Sequence, residues 1–385
     1  MATALLCLMI FCNTFSIGAF GPLLPEIARA QGLADWQLGV VAGAFGFARV
    51  LLDIPAGRLA GRRLAAALVA APLFLLAGTL LLASAGPLAI LALGRFLIGV
   101  GHALGMVGGL TALLERGEGA AFRLNTFEFS GMLGILGGIT LAGLLPGTWS
   151  WNRSFLLVCS PQLIVLALLP AFGRLFSRRA GHARSQASGP VMADGGKWPP
   201  IVTAMFVVGA VIAFAWSSVS QFLIPLRGTR EFGLDRAGNS RMLAIPQVVD
   251  LVALLPVGYL ADRLGRRALL GVVCVALGAG TFFVGLGPFP LFVLGSALFG
   301  LGLAGWMLPI GVIREHTPLA ALGWRTGLYR VGVDAGIFLG PLVSGLLGEA
   351  GAGYFVGLIG LVALGVGARL VATSAGSAPR GPRRA

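Results

Sequence analysis

Residues 93–106 read LGRFLIGVGHALGM, and residues 294–307 read LGSALFGLGLAGWM. Gly94, Gly99 and Gly101 of the first segment return as Gly295, Gly300 and Gly302 of the second, an offset of 201. Nearly every other position is apolar, yet the first segment carries Arg95 and His102 inside that frame. Working outward, PAGRLA at 55–60 returns as PVGYLA at 256–261, again at 201. Gly134, Gly138 and Gly143 return as Gly336, Gly340 and Gly345 at 202, and Leu23 and Pro25 as Leu223 and Pro225 at 200. Matched segments in one order at nearly one spacing mark an internal duplication.

The 385 residues are 57% hydrophobic and only 11% charged, with mean hydropathy +0.92. Soluble domains carry roughly a quarter charged residues, and a compact body of this size cannot hide so much apolar surface from water. A soluble enzyme and a disordered chain are both excluded. Sixty glycines and 21 prolines would suggest low complexity in water, but both residues are frequent in membrane helices. A crossing helix needs ~20 mostly apolar residues. Twelve stretches qualify: 3–25, 36–57, 64–84, 88–113, 123–146, 153–172, 199–226, 238–259, 268–286, 289–313, 322–347 and 352–373. The one sustained polar stretch divides them into an N-terminal bundle (1–172), a cytoplasmic linker (173–198) and a C-terminal bundle (199–373), with a basic tail at 374–385. Six is even, so both bundles begin on the same side. The expected fold is all-α and integral to the membrane, with twelve helices in two pseudo-symmetric six-helix bundles. Parallel repeats of this kind place a transport site at their interface near the midplane.

Net charge is +14. With the N-terminus inside, 20 of the 28 basic residues fall in cytoplasmic loops and tail, and Arg49 and Arg95 lie within spans. Arg29, Arg153, Arg227, Arg230, Arg236 and Arg241 fall on the opposite side. That is the positive-inside bias, and it explains the basic excess without nucleic acid. The expectation is a multi-pass protein of a bacterial inner membrane, monomeric, with both termini cytoplasmic. The first apolar run lacks a basic leader and a cleavage site, so it reads as a retained helix. Cys7, Cys12, Cys159 and Cys274 sit in apolar runs at no metal or disulfide spacing and read as packing residues. No phosphate-binding loop, nucleophile elbow or HExxH motif occurs. No enzyme activity, cofactor or metal is expected, and energy must come from an ion gradient or the substrate's own.

The loop between spans eight and nine reads Gly258-Tyr-Leu-Ala-Asp262-Arg263-Leu-Gly265-Arg266-Arg267. With the twelve-span layout it resembles the major facilitator superfamily of transporters. The first-half copy, Gly57-Arg58-Leu59-Ala60-Gly61-Arg62-Arg63, is shorter and lacks the Asp-Arg pair. Arg95 with Gly99, Gly101 and His102 is similar to a motif of the drug:proton antiporter branch. Gly134 and Gly138 follow the antiporter motif of span five, with Ile139 where that motif has proline; the proline stands in span eleven as Pro341. The resemblance implies a role for Arg95 in proton coupling and seams between the halves along spans two with eleven and five with eight. Across them Glu128 would face Asp250, and Asp53 would approach span eleven. Both loops are expected to form a conformational latch through Gly57, Arg62, Arg63, Gly258, Asp262, Arg263, Gly265, Arg266 and Arg267. Asp262 would do so by binding the positive end of a neighbouring helix.

Ionisable groups inside membrane helices are costly and mark function by default. Arg49 and Asp53 stand one turn apart, as a responsive pair or a structural one. Arg95 has no opposite charge at helical spacing and needs a partner elsewhere. His102, two turns on, could titrate near neutrality or pack as a neutral imidazole. Glu128 and Asp250 lack cations at helical spacing, and a carboxylate so placed takes up a proton. Asp334, mid-span and four residues after Arg330, is with Glu128 the first-ranked coupling acid. Asn13, Trp216, Gln221, Gln247 and Trp306 are candidates to line a substrate cavity or to bond between helices. The glycine repeats of spans five and eleven read as close-packing features. The leading expectation is a secondary transporter that exports a small amphipathic or hydrophobic compound in exchange for protons. Proton symport or facilitated uptake of a small metabolite such as an organic anion is the alternative, and a non-transporting scaffold or sensor a remote one.

Overall fold

The computed structural model describes residues 2–114, 120–177 and 198–375, and every regular element among them is helical. Linker residues 178–197 and the tail from 376 lie outside the described residues. Among the described residues nine helices are long and apolar enough to cross a bilayer, and two of these, Asp35–Ala83 and Trp324–Ala372, run 49 residues. A straight helix of that length measures ~74 Å, over twice a hydrocarbon core, so each is two crossings. Arg63 breaks the first at φ −143 and ψ 63, and Gly348 breaks the second at φ 70 and ψ 173. One more crossing, 151–177, is cut into short helices beside Pro161 and Pro170, residues that cannot donate a backbone hydrogen bond.

The twelve crossings are α1 (Ala2–Gln31), α2 (35–62), α3 (64–83), α4 (Leu88–Leu114), α5 (Ala120–Leu144), α6 (151–177), α7 (Pro200–Arg230), α8 (Arg236–Leu264), α9 (Arg266–Leu286), α10 (Phe289–Glu315), α11 (319–347) and α12 (349–375). Asp235 caps α8, its carboxylate accepting from the Gly238 N–H at 2.7 Å. The α8–α9 turn is made by Gly265 at φ 90, a conformation side chains resist. The repeat-related turn at Arg63 keeps a negative φ, so no glycine is needed there. Half-exposed Leu163 and Ile164 on α6 and Leu361 and Val362 on α12 fit lipid as the surrounding solvent.

The halves meet along α2 with α11 and α5 with α8, as the resemblance implied. The α2–α11 seam is an antiparallel zipper in constant register. A side-chain carbon on Gly39 would lie 2.6 Å from the Pro341 carbonyl oxygen, and one on Gly43 2.9 Å from that of Phe338. Only glycine permits that approach. The third glycine of each repeat serves a seam: Gly143 meets Ser240 of α8, and Gly345 meets Gly39 of α2. Toward the face bearing loops 57–63 and 258–267, here the basic face, the zipper parts. Gly61, Gly327 and Gly332 would meet nothing within 4 Å. The apolar core says the same: one cluster draws on both halves, joining Phe20, Leu23 and Leu24 to Phe222, Leu223 and Leu243. The second, built from Leu6, Ala60, Leu64, Phe172 and Phe176 among others, belongs to the first half alone. The molecule is therefore shut at the far face and cleft open at the basic face.

Candidate functional site

Where the zipper ends, its residues become charged. Arg49 Nε donates to Asp334 Oδ1 at 2.6 Å across the seam, and Asp334 is fully buried. One turn nearer the basic face, Arg330 Nε stands 4.0 Å from Asp53 Oδ2. The expected Arg49–Asp53 pair is thus replaced by two cross-seam pairs, because antiparallel packing sets each residue against the opposite helix. Arg49 Nη1 also meets His102 Nδ1 of α4 at 2.8 Å. Arginine can only donate, so that ring nitrogen accepts and the proton sits on Nε2. Glu128 of α5 is partly buried and forms no ion pair among the described residues. Asp53 Oδ2 and Asp334 Oδ2 are both buried without a hydrogen-bond partner.

A second constellation lies toward the far face. Arg95 is 1% exposed, its guanidinium 3.8 Å from the Phe20 ring centre and 5.2 Å from that of Phe45. Its Nη2 donates to Gln221 Oε1 at 2.9 Å, while Nε and Nη1 are buried without partners. Gln221 belongs to α7 of the other half and sits in a π-helical turn, Val219–Leu223. Such a turn inserts one extra residue per hydrogen-bonded ring and shifts the side chains it carries, commonly at functional sites. Gln221 also lines a small cleft with Trp216, Gln247, Ile17, Leu243 and Leu303. Trp306 is not among its walls; it packs against the apolar core beside the break in α10. Asn13 is buried away from the cleft near Gly105, both amide atoms lacking partners.

The α5–α8 seam carries the repeat-related charges, and the duplication sets Glu128 and Asp250 on different rungs of it. An offset of 201 carries Arg49 onto Asp250, and one of 202 carries Glu128 onto Arg330. Arg49 and Arg330 occupy different rungs of their seam, and their counterparts do likewise. Asp250 is buried, its Oδ1 without a partner. The repeat thus keeps the positions and changes the charges: paired ions in one seam, lone acids in the other.

The loop residues do not latch the halves in this conformation. Asp262 is exposed, 3.6 Å from Arg266 of its own turn, and Arg266 reaches Glu315 at 3.2 Å. Arg267 meets His316 at 2.6 Å, and Arg263 lies over the Tyr259 ring. All these partners belong to the second half, and Gly57 and Gly258 face open space or their own half. Among the described residues Arg62 and Arg63 form no ion pair, and they flank the α2–α3 break.

Sequence reasoning missed the far-face locks. Arg236, almost wholly buried, clamps Glu26 through both carboxylate oxygens at 2.6 and 2.5 Å. It also donates to the Pro146 and Trp149 carbonyls and to Ser154 Oγ. Arg230 bridges Asp35 of the first half and Glu349 of its own at 2.8 and 3.0 Å. Ser240 Oγ donates to the Ile139 carbonyl. The signal was present: these arginines stand on the side where positive-inside bias disfavours them.

Two copies of one helical unit around a central cleft, with buried charges at their interface, define a secondary transporter. The Major Facilitator Superfamily model matches residues 6–226 and 201–384, and the chain belongs to that family. It is a multi-pass membrane transporter and not an enzyme. Over 159 residues it is 26% identical to the probable nitrate transporter NarT of Staphylococcus aureus (strain MRSA252), a match covering 40% of this chain and 39% of that relative. Among solved structures, the inward-open xylose transporter XylE from E. coli superposes with TM-score 0.73 at 14% identity, covering 96% of this chain and 94% of that one. A POT family transporter in complex with a thioalcohol-conjugated peptide gives 0.76 at 13%, covering 97% and 96%. These likenesses establish the fold.

Proposed function

We propose that the protein is a proton-coupled secondary transporter working by alternating access, and that its substrate bears a negative charge recognised near Arg95. One observation carries this reading: a fully buried guanidinium with two unpartnered N–H groups, no carboxylate among the described residues paired with it, beside a cleft. A buried cation costs several kcal/mol unless it is paired. Two aromatic faces offset ~2 kcal/mol of that, and an anion supplies the rest. The relative's name, a probable nitrate transporter, points to the same sign of charge. Asp334, Glu128, Asp53 and Asp250 are the proton carriers in this reading, with Arg49 and His102 setting their surroundings. Moving an anion with a proton carries no net charge against the membrane potential. The basic face is then cytoplasmic, the conformation inward-open, and the direction uptake into a bacterium.

Efflux of an amphipathic compound is the second reading, favoured by the apolar walls that Ile17, Ile135, Leu243 and Leu303 give the cleft. Proteoliposomes with an imposed pH gradient separate the two. The first reading expects gradient-driven accumulation of a small anion, nitrate and short carboxylates being the probes, abolished by a protonophore. Arg95→Gln lowers it at least tenfold and Arg95→Lys less; Glu128→Gln and Asp334→Asn uncouple it from the gradient. Proton-driven transport of neutral or cationic amphiphiles, indifferent to Arg95→Gln, overturns it in favour of efflux.

A further inference from the structure

Arg95 sits where the two copies of the repeat meet. An offset of 201 carries Phe20 of α1 onto Gln221 of α7. Both touch the same guanidinium, the ring at 3.8 Å and the amide oxygen at 2.9 Å. A group in contact with a residue and with its repeat mate lies between the halves, on the path a substrate must take. The same offset carries Phe45, the second ring at Arg95, onto Pro246, and His102, packed on Phe45, onto Leu303. Gln221, Pro246 and Leu303 are all walls of the cleft. Arg95 itself is carried onto Ser296, a short buried side chain that turns back to the Phe292 carbonyl. The cleft is therefore the space that a guanidinium fills in the first half and that the second half leaves free.

Gln221 stands between that space and the charge. It bonds Arg95 and lines the cleft, whereas Arg95 is 1% exposed and is not a cleft wall. Arginine only donates, so the atom facing Nη2 is the carbonyl oxygen of the amide. That oxygen, on a planar carbon, is the uncharged likeness of a carboxylate oxygen, and a charged acceptor binds roughly twice as strongly. The walls carry no acid or base; Gln221, Gln247 and Ser220 are polar, while Ile17, Leu243 and Leu303 are apolar and the Trp216 ring joins them. An inorganic anion would leave those apolar faces uncovered, and a hydrocarbon body covers them. Resting on the reading of Arg95 as an anion site, we propose that Gln221 is a placeholder, displaced from Arg95 by the carboxylate of an amphipathic monocarboxylate whose apolar body lies in the cleft against Trp216 and Leu243.

Gln221 can leave Arg95 without breaking its helix. It lies in the π-turn Val219–Leu223, and rewinding such a turn to α moves a side chain by one position, ~100° around the axis. The amide lets go of the first half as the carboxylate takes hold of it. A tie between the halves is exchanged for a tie to the substrate, so the empty and loaded molecules differ at the boundary along which the halves move. Neutral isosteres are rejected by the same arrangement: an amide offers Arg95 no better acceptor than the one it already has.

Binding tests this without transport. Calorimetric titration of the purified protein in lipid nanodiscs uses benzoate and hexanoate as probes. Benzamide supplies the body without the charge, and acetate and nitrate the charge without the body. Both amphipathic carboxylates are expected to bind, and the other three roughly tenfold or more weaker. Arg95→Gln is expected to lose the preference for benzoate over benzamide. Gln221→Glu is the deciding variant. Its own carboxylate pairs with Arg95 and shuts out another, so benzoate affinity is expected to fall roughly tenfold or more, while the protein, its buried cation now paired, unfolds at a higher temperature. Gln221→Leu, with the competitor removed, is expected to bind benzoate more tightly than the wild type. A Gln221→Glu variant that binds benzoate as the wild type does, or a folded Gln221→Leu variant that has lost it, overturns the placeholder. Acetate or nitrate binding as tightly as benzoate overturns the substrate class. Both of those results leave the Arg95 reading standing. Benzoate and benzamide binding alike, or neither benzoate nor hexanoate binding, overturns the proposal, and the first of these takes the Arg95 reading with it.

Discussion

The two ends of this molecule are built from copies of one unit, yet they hold the halves by opposite means. At the far face, glycines bring α2 and α11 into backbone contact and arginines cross the boundary to carboxylates and carbonyl oxygens. At the basic face, arginines are more numerous, but the ion pairs at Asp262, Arg266 and Glu315 stay within one half. Charge alone therefore does not close a transporter. Closure needs close approach first, and charge then fixes the register.

The sharpest way to break that comparison is to deny the approach. In Gly43→Val, the added carbons would meet the Phe338 carbonyl oxygen, which lies 2.9 Å from the Cβ position. Neither backbone can yield without unzipping the seam. The far-face-closed state is expected to be lost almost entirely, seen as permanent opening between spin labels on Ser84→Cys in the α3–α4 turn and Ala350→Cys in the first turn of α12, both exposed at the far face. Gly61→Val, at the same zipper's parted end where nothing lies within 4 Å, is expected to leave that distance unchanged. Equal effects would mean that the glycines do not carry the closure.

Arg236 comes next. Replacing it by glutamine strips Glu26 of both its bonds and the Pro146 and Trp149 carbonyls of their donor. Charge-assisted bonds in a buried setting contribute roughly 1.5–3 kcal/mol, so a loss of ~2–3 kcal/mol is expected. Thermal unfolding of the purified protein measures it as a lowered Tm. A Glu26→Gln, Arg236→Gln double variant is expected to recover part of the loss, since no carboxylate is then left unpaired.

These residues also mark the limit of what sequence could tell. The twelve crossings and the duplication were legible, because apolar length and a 201-residue offset are local and additive signals; the two seams were implied by the family resemblance. Asp334, Asp53 and Arg49 were legible as costly charges, and the chain itself showed that Arg95 needed a partner elsewhere. Its actual partner was hidden: Gln221 is brought to Arg95 by a π-turn 126 residues away, and nothing in the spacing announces that. Glu128 and Asp250 were set together because the resemblance puts both helices in one seam, and seam membership does not fix the rung. The locks at Arg230 and Arg236 went unread because loop arginines were counted for orientation, a sum that discards which residue meets which.

Arg230 sharpens the comparison on a smaller scale. Its side chain is 40% exposed, against 2% for Arg236, though both cross the same boundary. Water and salt screen such a pair, and exposed bridges contribute about 0.2–1 kcal/mol. Arg230→Gln is therefore expected to lower Tm by a fraction of the Arg236→Gln effect. Raising the salt concentration should erase the Arg230 difference and leave most of that at Arg236.

Asp262 is expected to show the least effect on stability and the most specific one on shape. In this conformation its carboxylate is exposed and stands 3.6 Å from Arg266, a contact that contributes almost nothing. Asp262→Asn should leave Tm unaltered. The loop resemblance implies a latch, and a latch made only when the basic face closes can destabilise only that state when cut. The variant should then enrich the conformation described here: the far-face labels report more closed molecules than in the wild type. If the populations stay as in the wild type, Asp262 serves the fold of its own turn, and the basic face closes without it.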